Sequence, residues 1–263
     1  MSPISAGNIN KTACAIEVQN LSVGYDSTVL MQDLNFSVNY GEIFVILGGS
    51  GCGKSSLLKN LFGLYQPLAG DVLIEGQNIT KARGVERQKM MTSFGVMYQQ
   101  GALFGSMNLL ENVILFMQEY TGLTQDQMNL LARCKLDLVG LLPYESYMPS
   151  EISGGMQKRA AIARAMALDP KILFLDEPSA GLDPITSADL DSTIMDLSKN
   201  LGITFVIVSH ELASIYAIAD KVIMLDKDTK SIIAEGDPKV LRDTSSDPKV
   251  HQFFNRIMSK DAA

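Results

Sequence analysis

The fold is decided by one run of residues, Gly48-Gly49-Ser50-Gly51-Cys52-Gly53-Lys54-Ser55-Ser56, which we call the phosphate loop (residues 48–56). It fits the pattern G-x-x-x-x-G-K-[ST] and lies between an apolar strand, residues 43–47, and a predicted helix, residues 54–64. Glycines let the backbone turn its N–H groups towards the β- and γ-phosphates of a nucleotide, and the helix N-terminus adds partial positive charge. Lys54 would neutralise the phosphates, and the Ser55 hydroxyl would ligate Mg²⁺. A glycine-rich turn alone would explain neither the Lys-Ser pair nor the strand before it.

Continuous apolar runs predict the strands of a parallel sheet at residues 43–47, 172–175 and 205–208. Such runs are typical of strands that helices cover on both faces. The predicted helices alternate with these runs, at residues 54–64, 155–167, 187–200 and 211–219. Earlier strands, around residues 16–25, 36–38 and 72–75, alternate apolar with polar side chains, as antiparallel strands with one exposed face do.

A third region, about residues 100–151, contains no buried-strand run and is predicted to be helical, notably over residues 109–119 and 125–139. The predicted fold is therefore α/β, of the P-loop NTPase type. Its core is a mostly parallel sheet with flanking helices. An antiparallel β subdomain and an inserted α-helical subdomain complete it.

Composition excludes several classes of protein. With 46% hydrophobic and 19% charged residues among 263, the chain can bury a sizeable core. Its 22 Lys and Arg against 29 Asp and Glu give a net charge of −7, which argues against nucleic-acid binding and against recruitment to an anionic membrane by charge alone. The three scattered cysteines favour a reducing compartment. Residues 1–12 lack a signal-peptide pattern and no run reaches the roughly 20 apolar residues of a membrane span, so we expect a cytosolic chain.

Two adjacent carboxylates, Asp176 and Glu177, end the apolar run at residues 172–175. Neighbouring side chains on a strand point to opposite sides, so the two can take different tasks. We predict that Asp176 belongs to the metal shell and that Glu177 polarises a water molecule. Alone, such a pair is as often a loop start or a helix cap, but the phosphate loop favours the functional interpretation.

Upstream lies Ile152-Ser153-Gly154-Gly155-Met156-Gln157, which resembles the signature L-S-G-G-x-Q of the ATP-binding-cassette (ABC) family. The only departure is Ile152 for Leu, a volume-conserving change. Ser153 as a simple helix cap would explain Ser-Gly-Gly alone, but the spacing to Asp176 favours the family. The resemblance implies that Ser153, Gly154, Gly155 and Gln157 form a second anion site facing the γ-phosphate held by another subunit. Two ATP molecules would then lie between the subunits of a homodimer.

Further family elements follow in order, and the resemblance implies a role for each. Tyr25 would stack on adenine, although a half-buried strand tyrosine explains it nearly as well. Gln99 would reach Mg²⁺ and the attacking water, with Gln100 as the alternative. Asp183 would bridge the subunits, and His210 would contact the γ-phosphate. Glu177, His210 and Gln99 are thus the predicted catalytic residues, and Ser55, Gln99 and Asp176 the predicted Mg²⁺ ligands.

The resemblance covers about residues 15–240 and sets the predicted domain boundaries. Residues 1–14 form an N-terminal tail, residues 15–245 the ABC ATPase domain with its insert, and residues 246–263 a C-terminal amphipathic helix and tail. In the last segment Val250, Phe253, Phe254, Ile257 and Met258 make one apolar stripe. We expect this stripe to pack on its own domain, and the alternative is docking across the dimer or on a partner.

Residues 99–107, 111–113 and 176–186 resemble a narrower group, the Mce-associated, MlaF-like ATPases. That group moves phospholipids between bacterial membranes. The resemblance implies four partners: a second copy of the chain, an integral-membrane permease, an MCE substrate-binding protein and, in some systems, a STAS-domain protein. The chain would then lie on the cytoplasmic face of the inner membrane, held there by the permease. A cassette ATPase for another cargo and a non-transport cassette clamp in translation or DNA repair are the alternatives.

An uncharged stretch, residues 90–110, contains the apolar side chains Leu103, Phe104, Met107, Leu109 and Leu110. The stretch includes Gln99, so a partner docked there would sense the nucleotide state through a few residues. We therefore predict a docking surface for a permease helix at these side chains. The alternative is that they fill the core of the helical insert.

Overall fold

The computed structural model describes residues 14–25 and 28–255, and its strands and helices alternate along the chain. The strands are β1 (Cys14–Tyr25), β2 (Thr28–Asn39), β3 (Ile43–Gly48), β4 (Ala69–Ile74), β5 (Gln77–Asn78), β6 (Phe94–Met97), β7 (Ile172–Asp176), β8 (Thr204–Val208), β9 (Lys221–Asp226) and β10 (Ser231–Gly236). The helices are α1 (Lys54–Leu61), α2 (Gly84–Met91), α3 (Leu109–Tyr120), α4 (Gln125–Leu138), α5 (Gly154–Ala165), α6 (Pro184–Leu201), α7 (Leu212–Ile218), α8 (Pro238–Thr244) and α9 (Pro248–Asn255). Short 3₁₀ turns lie at Leu142–Tyr144 and Pro149–Glu151.

Two sheets organise these elements. The larger has the order β10-β9-β3-β8-β7-β6, and all its pairs are parallel except the one between β10 and β9. The smaller, β2-β1-β4-β5, is antiparallel, and β1 changes register along its length. The predicted α/β architecture is confirmed.

The parallel sheet separates two apolar cores. Every residue of β3, β7 and β8 is buried, as the continuous apolar runs predict. Phe44 and Ile46 face the core shared with α1 and the antiparallel sheet, whereas Val45 and Leu47 face the core shared with α3 to α7. Strand geometry explains the division, because successive side chains of a strand point to opposite faces.

The helical insert is built on α3 and α4, and each helix begins with a capping box. Asn108 and Glu111 cap α3 reciprocally, and Thr124 and Gln127 do the same for α4. Residues 100–108, which fall within the stretch predicted to be helical, are instead a loop. The buried Asn112 holds this loop, because its amide donates to three backbone carbonyls and its Oδ1 accepts from the Phe104 N–H at 2.8 Å.

The C-terminal helix α9 packs on its own domain. Val250 and Phe254 are buried in the larger core, and the Tyr216 hydroxyl donates to the Phe254 carbonyl at 3.0 Å. Lys249 Nζ ties the helix to Asp226 at 2.7 Å and to Asp228 at 2.6 Å. The predicted packing in cis therefore holds for these residues. Ile257 and Met258, with the N-terminal tail up to residue 13, lie outside the described residues.

Within the described residues, no helix combines the length and the apolar character that crossing a membrane requires. Cys14, Cys52 and Cys134 are free thiols, as their scattered positions predict.

Candidate active site

Three neighbouring strands of the parallel sheet end at the candidate active site. β3 runs into the phosphate loop, β7 ends at Asp176 before Glu177, and β8 is followed by Ser209 and His210. Because β8 lies between β3 and β7 and all three are parallel, their carboxyl ends meet along one edge. A cavity of about 630 Å³ opens at this edge, where α/β sheets bind their ligands. Most of the phosphate loop lines it, together with Glu177, His210, Leu30 and Phe253.

The phosphate loop has the backbone that its glycines allow. Gly53, the N-cap of α1, has a φ of 93°, in the left-handed region that favours glycine. At Gly48, a Cβ would lie 2.6 Å from Cys52 Sγ and 2.7 Å from the Leu225 carbonyl oxygen, so no other residue fits there. Cys52 itself is buried and its side chain belongs to the core beneath the loop. Lys54 Nζ donates to the Gly48 and Gly49 carbonyls at 2.9 and 3.0 Å, which holds the ammonium group inside the loop.

Two of the three residues predicted to hold Mg²⁺, Ser55 and Asp176, are in contact, and the third, Gln99, contacts Glu177 instead. The Ser55 hydroxyl donates to Asp176 Oδ1 at 2.9 Å. Burial raises the pKa of Asp176, and the Ser55 hydrogen bond opposes that rise. A hydroxyl and a carboxylate oxygen are hard donors of the kind that Mg²⁺ prefers, and Mg²⁺ completes its shell with water and phosphate oxygens. Two such donors leave the other positions to water and phosphate oxygens, so the pair fits Mg²⁺ bound together with a nucleotide. The described residues contain no cluster of three or more His, Cys, Asp or Glu side chains suited to a metal.

Glu177 is contacted by both other predicted catalytic residues. Gln99 Nε2 donates to Glu177 Oε2 at 3.2 Å, and His210 Nδ1 lies 3.3 Å from Glu177 Oε1. The Glu177 backbone has a φ of 48°, which is strained for a residue with a Cβ, and its N–H donates to the Val208 carbonyl. Strain of this kind concentrates at functional sites. The structure thus brings these three side chains together, and two of them, Glu177 and His210, line the cavity.

Tyr25, predicted to stack on adenine, stands beside the last residue of the phosphate loop. Its hydroxyl lies 2.7 Å from Ser56 Oγ, and its half-exposed ring packs edge-to-face with Tyr65, the ring centroids being 5.8 Å apart. Tyr25 is therefore close to the loop and half-exposed, and its contact with adenine stays a prediction.

The signature residues lie away from the cavity. Ser153 is exposed and caps α5 by accepting from the Met156 N–H at 3.3 Å. Gly155 marks a close approach between α5 and α6, because a Cβ there would lie 2.2 Å from Thr186 Cγ2. Gln157 turns into its own domain, where its amide donates to the Pro149 carbonyl at 2.9 Å. Gly154, beside Ser153, is exposed as well.

Asp183 begins α6 next to this motif. Its Oδ1 accepts from the Ile185 and Thr186 N–H groups at 3.0 and 3.1 Å, and its Oδ2 accepts from the Thr186 hydroxyl. Asp183 is thus a helix cap in this chain, and the subunit bridge stays a prediction.

Two cations on α5 belong to the site but were not predicted from the sequence. Lys158 and Arg164 are buried and donate to backbone carbonyls in the loop around Gln99. Two charged residues on the apolar side of a predicted helix, among Ala160, Ala161 and Ile162, are the signal that could have identified them.

A phosphate loop after a central parallel strand, with two carboxylates at the end of a strand nearby, defines a P-loop NTPase. The sequence profile of the ABC transporter family matches residues 31–180. The chain belongs to this family, and it is an ATP-hydrolysing ATPase subunit of an ABC transporter.

Individual relatives agree with this assignment. Mkl of Mycobacterium leprae, described as a probable ribonucleotide transport ATP-binding protein, is 42% identical over 92% of this chain and 69% of its own. The intermembrane phospholipid transport system ATP-binding protein MlaF of Haemophilus influenzae is 39% identical over 91% of this chain and 89% of its own. MlaF of Escherichia coli is 36% identical over 92% and 89%.

Solved structures share the fold. CbiO1 of Clostridium perfringens, part of the ABC transporter complex CbiONQ, superimposes with a TM-score of 0.79 at 29% identity, covering 86% of this chain and 90% of its own. The ATP-binding cassette MJ0796, a dimer bound to ADP and Pi, has a TM-score of 0.75 at 27% identity, covering 84% and 98%. The predicted P-loop NTPase fold and the predicted ABC ATPase activity are confirmed.

Proposed function

We propose that the chain drives a transporter that moves phospholipids between bacterial envelope membranes. The observation that carries this proposal is the extent of the match to MlaF, which spans 89% of the relative and over 90% of this chain. Mkl is slightly more similar in sequence, but the match covers 69% of its length. A ribonucleotide or another cargo is therefore the second candidate.

For hydrolysis, the chain's own residues supply positioning and charge. The phosphate loop and Lys54 would hold the ATP phosphates, and Ser55 and Asp176 would hold Mg²⁺, which would neutralise charge on those phosphates. The Glu177 carboxylate then accepts a hydrogen bond from the attacking water and polarises that water. Gln99 and His210 hold the Glu177 carboxylate from two sides, at 3.2 and 3.3 Å.

The active site is completed by a second copy of the chain. Ser153 and Gly154 are exposed and absent from the lining of the cavity that holds Lys54 and Glu177. In the proposed homodimer they bind the γ-phosphate of the ATP in the partner's cavity, at the N-terminus of α5. The dimeric state of the MJ0796 cassette supports this arrangement.

A permease helix docks in a second cavity, the insert groove, of about 450 Å³ between the core and the helical insert. The groove is lined mainly by apolar side chains, among them Phe62, Leu64, Met91, Tyr98, Phe116 and Tyr120. Several of these are partly exposed, and Tyr98 directly precedes Gln99. The docked helix would hold the chain at the cytoplasmic face of the inner membrane. An MCE protein and a STAS-domain protein complete the proposed complex.

The insert groove replaces most of the docking surface expected from the sequence. Leu109 is fully buried in the larger core, and Leu103 and Leu110 pack against that core. Of the five side chains predicted to form the docking surface, only Phe104 is largely exposed, at 45%. The expectation of an exposed patch is therefore wrong for Leu109 and holds for Phe104, whereas Leu103, Met107 and Leu110 are half-buried.

Replacing Phe116 by Asp should release the permease, because a carboxylate would be buried in the apolar groove. Phe116 is 39% exposed in the free chain, so we expect thermal stability and ATP binding to be retained. The measurement is co-purification of the permease with the tagged chain from solubilised membranes. Leu130→Asp is the matched control, because Leu130 is 65% exposed on α4 and does not line the groove.

Phe104→Asp, measured in the same way, tests whether the surface next to Gln99 also contributes to binding of the permease. If Phe116→Asp retains the permease as well as Leu130→Asp does, the insert groove is not the docking site. Loss of the permease in Phe104→Asp alone would move the site to the residues around Phe104.

The cargo is tested by reconstitution. The complex captured from membranes with the full chain should transfer labelled phospholipid between donor and acceptor phospholipid vesicles only with ATP and Mg²⁺. Glu177→Gln should abolish the transfer. ATP-dependent uptake of a labelled ribonucleotide, with no phospholipid transfer above the Glu177→Gln background, would contradict the proposed cargo and favour the second candidate.

A further inference from the structure

Two buried cations on α5 have no carboxylate partner within ion-pair distance in the part of the chain that the structure describes. Lys158 is 9% exposed and Arg164 is 7% exposed. Their side-chain donors go to backbone carbonyl oxygens of residues 99–102, which we call the glutamine loop. Burying a charge costs free energy unless the group is hydrogen-bonded, so the two cations depend on the carbonyls of the glutamine loop.

The glutamine loop needs such support because of its backbone. Gly101 and Ala102 have φ values of 71° and 52°, and the second is unfavourable for a residue with a Cβ. Arg164 Nη2 donates to the Gly101 carbonyl at 2.9 Å, and its Nη1 donates to the Ala102 carbonyl at 2.5 Å. One planar guanidinium thus fixes two consecutive carbonyls of the strained turn.

Lys158 fixes the other end of the glutamine loop. Its Nζ donates to the carbonyl of Gln99, whose side chain donates to Glu177 Oε2 at 3.2 Å. Burial lowers the pKa of Lys158, and the nearby Glu177 carboxylate opposes that shift. Lys158 therefore holds the main chain of the residue whose side chain holds Glu177.

Arg164 also reaches the insert groove. It lines the groove beside Tyr98, and its guanidinium lies 5.8 Å from the centroid of the Phe104 ring. Arg164 thus lines the groove and is hydrogen-bonded to the loop that carries Gln99. The route from the groove to the Glu177 carboxylate passes through α5, whose N-cap is the signature residue Ser153.

We infer that Lys158 and Arg164 are positioning residues that hold the glutamine loop so that Gln99 stays on the Glu177 carboxylate. They act on the rate of hydrolysis and not on ATP binding, because neither lines the nucleotide cavity. The inference rests on the proposed roles of Gln99 and Glu177, and it adds to them the two side chains that set the geometry.

The test uses the purified full-length chain with ATP and Mg²⁺. Lys158→Met and Arg164→Met should each lower kcat about 10- to 100-fold, because small displacements of catalytic groups cost this much, with the Kd for ATP within about twofold of the unmodified chain. Lys158→Arg should restore most of the rate, since it keeps a buried donor at the same place. Arg159→Met is the matched control, because Arg159 is on the same helix but donates to the Val139 carbonyl of the insert. It should leave kcat unchanged.

A double-mutant cycle separates this inference from the proposed function. If Lys158 acts through Gln99, adding Lys158→Met to Gln99→Ala should cost at most about twofold more, because residues acting as a unit are not additive. If Gln99→Ala slows hydrolysis and Lys158→Met does not, the inference is wrong and the proposed role of Gln99 stands. If Gln99→Ala leaves kcat unchanged, both are wrong. A loss of ATP affinity that equals the loss of kcat, or equal slowing by Arg159→Met, also overturns the inference. Should Arg164→Met fail to fold, the Lys158 variants decide.

Discussion

Glu177→Gln is expected to lower ATP hydrolysis by about 10²- to 10⁴-fold while ATP and Mg²⁺ still bind, which is the usual contribution of a positioned general base. The amide has nearly the same size as the carboxylate but cannot polarise the attacking water. Because ATP then persists, dimers should accumulate in the presence of ATP and Mg²⁺. The measurements are steady-state hydrolysis, equilibrium ATP binding and the dimer fraction by light scattering.

Glu211→Gln serves as the control for this substitution. It also removes one carboxylate near His210, but Glu211 Oε2 accepts from Ser187 at 3.2 Å and does not line the nucleotide cavity. It should hydrolyse ATP within a few-fold of the unmodified chain. Turnover of Glu177→Gln at a similar level would mean that another group activates the water.

Mixing Lys54→Ala protein with Ser153→Arg protein should restore activity that neither has alone. Each single variant damages both composite sites of its homodimer, so we expect its hydrolysis to fall by about 10²-fold or more. A mixed dimer keeps one intact site, formed by Lys54 of one subunit and Ser153 of the other. Random mixing in equal amounts should therefore recover up to about a quarter of the original activity.

The concentration dependence offers a second measurement of the same model. If sites form only between subunits, the specific activity of the unmodified chain should rise with its concentration in the range where dimers form. Full activity in either single variant would refute the shared site. A mixture that stays as inactive as its components would contradict the proposal that Lys54 of one subunit and Ser153 of the other form one active site.

The parts of the active site that are local in sequence were predictable. The phosphate loop follows a buried strand and opens a helix within residues 43–61, so one motif determines its shape. Asp176 and Glu177 were recognisable because they end an apolar run. Their partners Gln99 and His210 came from the family resemblance, since nothing in the spacing of residues 99, 177 and 210 indicates that their side chains meet.

The features that were missed depend on contacts between distant residues. The segment 100–108 is a loop because one buried side chain, Asn112, satisfies its backbone groups, and apolar periodicity does not detect such bonds. Leu109 and Phe104 are equally apolar in the sequence, yet the first is buried and the second is not, because only packing decides which face is covered. Lys158 and Arg164 look like ordinary helix cations until the glutamine loop is placed against them.

The position of β3 in the sheet has a consequence for the order in which the chain becomes ordered during synthesis. Its two neighbours are β8 and β9, which a ribosome makes more than 150 residues later. The region that matches the family profile, residues 31–180, includes neither strand. The nascent chain therefore contains the complete phosphate loop long before it can close the sheet that supports it. Until β8 and β9 have been made, β3 has neither of its sheet neighbours, and unpaired strand edges of this kind are open to pairing with other chains.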